Sequence, residues 1–213
     1  NIIYSPYSTD DPNTLNEVEL GIHTSETSTA GTADIKNIFA TACQILRDRG
    51  VVSKAFPQHI VCELPFLPFK AYLRLPLIEQ MDESEFNLEP LKTFERVLVI
   101  LRANRNRAFA TCNSAKPWRA CGLMQFTDRW RGKRRPGTYS TVVRSFPEAQ
   151  LMKSFPAGAL DHINAAMAAI LLHDLNLKGL FDRFGEKIVQ DPVLLEYALA
   201  GCYNGGCGWT IMA

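Results

Sequence analysis

Hydrophobic positions recur at helical spacing in four stretches of the chain. Ile35, Ile38, Phe39, Ala42, Ile45 and Leu46 share one face of a helix over 34–49, with Asp34 as N-cap and Gly50 as its stop. Phe94, Val97, Leu98, Ile100 and Leu101 predict a largely buried helix that opens at Glu89-Pro90 and runs to about Ala103. The run from Ala165 to Leu172 is apolar nearly all round, so the helix over 161–175 belongs at the centre of a helical domain. Asp191-Pro192 starts a last helix through Ala200, with Asp as N-cap and Pro at the first helical position. A short helix around 180–188 precedes it.

Between these stretches the pattern weakens. Residues 1–33 are rich in Ser, Thr, Asn and Asp and read as an extended arm or linker. Residues 51–89 carry Pro57, Pro65, Pro68 and Pro76, which break any long element, and read as a packed irregular extension. Its apolar surface needs a cover, which makes residues 1–89 a candidate protein-docking arm. The organisation expected is an arm over 1–33, an extension over 34–89 and a helical domain over 90–213. The fold class is mainly α.

One stretch stands out chemically. Cys121-Gly-Leu-Met-Gln-Phe126 sets an amide, Gln125, between large apolar neighbours, where it must find hydrogen-bond partners in the fold or in a ligand. Asn164, at the head of the apolar helix, either caps locally or faces a cleft. His162 and His173 flank that apolar run and read as core histidines.

Composition then narrows the class. Of 213 residues, 46% are hydrophobic and 21% charged, as in an ordinary globular protein. No apolar run approaches the ~20 residues that span a bilayer. No initiator Met or signal segment is visible, so the chain reads as a mature or excised piece. Net charge is +1, but residues 102–135 hold ten Lys or Arg against one acid, Asp128. That segment carries +9 and leaves −8 for the rest. It suits an anionic wall polymer or nucleic acid, or it is a solvated positive face. Nucleic acid is the weaker candidate, since Trp130 alone offers a stacking surface in the basic run 129–136.

Six cysteines set the compartment. By spacing, Cys112 pairs with Cys121 and Cys202 with Cys207, leaving Cys43 and Cys62 as the third pair, one of 15 connectivities. No C-x2-C spacing occurs and the four His are scattered, which disfavours metal; free buried cysteines are the remaining option. Disulfides predict an oxidising location, periplasmic or extracellular.

Gly122-Leu-Met-Gln125, followed about 80 residues later by Tyr203-Asn-Gly-Gly206, resembles the soluble lytic transglycosylase and goose-type lysozyme family. Ala198-Leu-Ala-Gly-Cys-Tyr-Asn204 is similar to the alanine-rich approach to that Tyr-Asn pair. Asp161-His-Ile-Asn-Ala-Ala166 resembles the buried helix between the two motifs. The resemblance covers roughly residues 90–210 and implies a lysozyme-like helical domain whose cleft binds peptidoglycan glycan strands, with no cofactor and no metal. It implies cleavage between N-acetylmuramic acid and N-acetylglucosamine by one general acid/base Glu. By the same resemblance Gln125, with its neighbours Met124 and Phe126, would contact sugar. Tyr203 would lie beside the acid, and Asn204 would support the turn.

The chain departs from the family at the acid itself. The family places its Glu at a helix C-terminus, some 15–20 residues ahead of Gly-Leu-Met-Gln. That region, Ile100-Leu-Arg-Ala-Asn-Arg-Asn-Arg107, holds no carboxylate. Ala103 is the positional match, with Asn104 or Asn106 as alternatives. Glu95 lies two helical turns too early, ~11 Å away, and Asp128 comes too late. Two expectations follow. Either Ala103 stands where an acid was replaced, or the protein has lost catalysis and binds glycan as part of a wall-associated assembly.

Overall fold

A computed structural model describes residues 25–64, 67, 69–80, 87–113, 120–128, 137–205 and 207. Among these the protein is mainly α-helical, with isolated bridges and no sheet. The helices are α1 (Ser25–Asp48), α2 (Phe69–Glu79), α3 (Pro90–Asn104), α4 (Thr138–Ser145), α5 (Phe155–Leu160), α6 (His162–Phe184), α7 (Lys187–Gln190) and α8 (Pro192–Gly205). Single 3-10 turns follow α3 at Arg105–Arg107 and α4 at Pro147–Ala149.

The apolar helix α6 is the axis. Asp161 caps it by accepting from the Asn164 backbone N–H at 2.7 Å, and α1, α4, α5 and α8 all pack on it. It runs to Phe184, past the expected end at 175 and through much of the short helix expected at 180–188, because Leu177 and Leu180 stay buried. Helix α3 matches its expected span closely.

Helix α1 begins at Ser25, nine residues before the Asp34 cap expected from the pattern. The reason is tertiary. Gly31 is buried against α3, where an added Cβ would sit 2.1 Å from the Leu98 carbonyl oxygen. Two helices therefore touch backbone to backbone, and that contact holds a Ser/Thr-rich segment helical against its weak propensity. The rest of the expected arm, residues 1–24, lies outside the described residues.

The described residues between 51 and 80 hold more order than the prolines suggested. Val52 and Ile60 form a bridge, and Asp174 of α6 accepts hydrogen bonds from the Ser53 hydroxyl and, at 2.5 Å, from the Lys54 N–H. Helix α2 then passes straight through Pro76. Burial of Tyr72, Leu75 and Gln80 along one face outweighs the hydrogen bond that Pro76 removes. One buried cluster runs from Ile35 through Tyr72 and Leu101 to Cys202, so the segment before 90 and the segment after it share a core.

Cys112–Cys121 and Cys202–Cys207 are disulfides. The third pairing is corrected: Cys43 and Cys62 are free thiols, joined by a hydrogen bond from Cys62 to Cys43 and not by a covalent bond. That hydrogen bond lowers the Cys43 pKa and, with burial, raises that of Cys62. Among the described residues no helix is long and apolar enough to cross a membrane.

Candidate active site

The turn at 122–125 is closed at its base. Cys121 and Phe126 exchange backbone hydrogen bonds of 2.9 and 3.0 Å, and the disulfide ties Cys121 back to Cys112. Gly122 has φ +74°, and a Cβ there would meet the Ala159 carbonyl oxygen at 1.7 Å. Only glycine fits this approach to α5. Gln125 is half-buried with φ +46°, and its side-chain amide donates to the Gly122 carbonyl at 2.9 Å.

Helix α8 brings Tyr203 to this turn. The helix continues through Gly201 to Gly205, past the end expected at Ala200, because Leu199 and Cys202 keep its inner face buried. The Tyr203 hydroxyl donates to the Met124 carbonyl at 2.9 Å, and its ring meets Phe126 edge-on at 6.4 Å. The two motifs separated by some 80 residues are therefore in direct contact.

A carboxylic acid unremarked in the sequence sits beside them. Glu79 is the last residue of α2, and burial pushes its pKa up to about 7. It lies close enough to Tyr203 that its charge, added to burial, raises the phenol well above the usual range. The next residue, Gln80, is fully buried and donates its side-chain amide to the carbonyls of Gly122 and Leu123, both at 2.9 Å. The helix end carrying Glu79 is thus fastened to the Gly-Leu-Met-Gln turn. His173 of α6 packs against Tyr203 and Tyr72, at 5.9 and 5.7 Å, and burial lowers its pKa to about 4, so it is neutral near pH 7. A hollow of about 570 Å³ opens between α2 and α8, reaching Ile78 and His173.

The other positions expected to carry the site are distributed differently. Ala103 is exposed on the last turn of α3, and Asn104 folds back to donate to the Ile100 carbonyl at 3.1 Å. Asn106 lines a separate pocket of about 420 Å³ with Asp34, Arg105 and His162. Asn104 thus bonds within its own helix, whereas Gln80 and Tyr203 both bond to the 122–125 turn.

Met124, Phe126 and Asn164 are placed inward. The side chains of Met124 and Phe126 are buried in the core, so the turn presents backbone there. Asn164 is buried and its amide is engaged in the fold: it donates to the Tyr139 hydroxyl and the Gly158 carbonyl, both at 2.7 Å, and accepts from the Met152 N–H at 2.9 Å. Both of its donors are thereby committed inside the fold. The Asn204 side chain and the basic run 129–136 lie outside the described residues.

Asp128 accepts from the Ser140 N–H at 2.9 Å and so anchors the start of α4. His162 bonds the Ala108 carbonyl at 2.7 Å through its Nε2. No group of three metal-ligating side chains occurs among the described residues. Comparison with protein-family models, curated proteins and solved structures finds no match to the chain.

Proposed function

We propose that the protein is a lysozyme-like peptidoglycan-cleaving enzyme in which Glu79 is the single general acid and base. The observation that carries this reading is a carboxyl group at a helix C-terminus, kept protonated to about pH 7 by burial, beside Tyr203 and fastened to the Gly-Leu-Met-Gln turn. That is the constellation the family resemblance implies, with the acid supplied 43 residues ahead of Gly122 by α2 instead of from the end of α3. The two disulfides support an oxidising, wall-facing location.

The chemistry follows from the environment. A protonated Glu79 gives its proton to the glycosidic oxygen as the bond to the sugar breaks. The carboxylate left behind then takes a proton from the attacking hydroxyl, either a sugar hydroxyl, closing an anhydro ring, or water. A pKa near the working pH serves both steps. Gln125, with its N–H held by the Gly122 carbonyl, offers its oxygen to a sugar donor.

The test uses purified wall sacculi. The unmodified protein releases soluble muropeptides, and mass spectrometry distinguishes anhydro ends from reducing ends by one water. Glu79→Gln releases none while still binding sacculi. Equal release by Glu79→Gln, or no release by the unmodified protein, defeats the proposal.

A further inference from the structure

We propose that Gln80 is a positioning residue that sets the distance between the acid and the sugar-binding turn. The inference rests on the reading of Glu79 given above. Three consecutive carbonyls of the turn are held from the side of the acid: Gly122 and Leu123 by the Gln80 amide, and Met124 by the Tyr203 hydroxyl. The Gly122 carbonyl is shared, since the Gln125 side chain donates to the same oxygen at 2.9 Å. Gln80 therefore reaches Gln125 through a single oxygen atom.

The geometry explains why this must be a long amide. Gln80 lies just past the end of α2, where its own N–H still bonds the Pro76 carbonyl at 3.1 Å. Its backbone is thus an extension of the helix that carries Glu79. Both amide hydrogens are then aimed at neighbouring carbonyls of one turn, an arrangement no single-donor hydroxyl can reproduce. Buried carbonyls that lose such donors reorient or admit water. Either response moves the turn and hydrates the space around Glu79. A misplacement on the order of 1 Å in such a site costs about 100-fold in rate.

Gln80→Met keeps the length and apolar stem and removes both donors. It lowers kcat on soluble muropeptide oligomers by about 10–100-fold with KM changed less than about threefold. It also moves the alkaline limb of the kcat profile to lower pH, because water reaching Glu79 relieves the burial that raises its pKa. A wild-type kcat with an unmoved limb overturns the proposal. A variant that does not fold shifts the test to the unmodified protein by NMR. There the Gln80 side-chain amide protons exchange at least about tenfold slower than those of exposed glutamines, as expected of buried, bonded donors. Exchange at the exposed rate overturns it. Glu79→Gln, assayed in parallel, reports on the acid alone. Full activity there defeats the assignment of Glu79. An inactive Glu79→Gln beside an unaffected Gln80→Met defeats only the role of Gln80.

Discussion

Two helix ends compete for the same role, and they differ in what covers them. The end of α3 is bare: Ala103 and Asn106 are exposed, and Asn104 is occupied with its own helix. The end of α2 is covered: Gln80 is fully buried under the Gly-Leu-Met-Gln turn, and Glu79 lies near enough to Tyr203 for its charge to act on the phenol. An exposed carboxyl at the first end would ionise near its ordinary pKa and donate no proton at neutral pH. A carboxyl at the second is half-buried, and that burial raises its pKa to about 7. Tertiary cover, and not sequence distance to the motif, decides where an acid can work.

The largest expected effect comes from moving the acid. Glu79→Ala combined with Ala103→Glu stays inactive in sacculus turbidity assays, a loss of about 10²–10⁴-fold, and Ala103→Glu alone leaves the rate unchanged. Recovery in the double variant breaks the comparison outright.

Next is the pH dependence of stability. The Glu79 carboxyl titrates at an ordinary 4.5 when unfolded and at about 7 when folded. Between those values the folded state holds the extra proton, so stability falls as pH rises through the window. The full cost, on the order of 3 kcal/mol, is present above pH 7 and absent below 4.5. Glu79→Gln escapes it. Thermal melts of the two proteins should coincide at pH 4.5 and separate toward pH 8, with the variant the more stable. Parallel curves across that range contradict the burial of Glu79.

Tyr203→Phe is smaller. It removes the bond to the Met124 carbonyl and costs about 1–2 kcal/mol in urea unfolding. Smallest is Asn104→Ala at the bare helix end, where loss of an exposed-side hydrogen bond shifts the same measurement by no more than about 0.5 kcal/mol. A larger effect from Asn104 than from Tyr203 would reverse the ranking of the two ends.

Much of this was written along the chain. The all-apolar run of α6 and the Asp-Pro start of α8 predict helices that begin where they are observed, since periodicity and capping are local properties. The cysteine spacings anticipate two disulfides, because short loops close readily. Even α2 left a trace: Tyr72, Leu75 and Glu79 fall at helical spacing, and Glu79-Gln80 ends the run. Four prolines between 57 and 76 hid it, since local rules score Pro76 as a break.

The cores of α3 and α6, the starts of α6 and α8, and the caps of Asp161 and Asp191 were thus determined by the sequence alone, each by neighbours a few residues away. Which carboxyl meets the Gly-Leu-Met-Gln and Tyr-Asn motifs was decided only by tertiary structure. Burial, a raised proton affinity and the two bonds from Gln80 all arise between residues some 40 to 120 positions apart. No local pattern encodes a contact of that span.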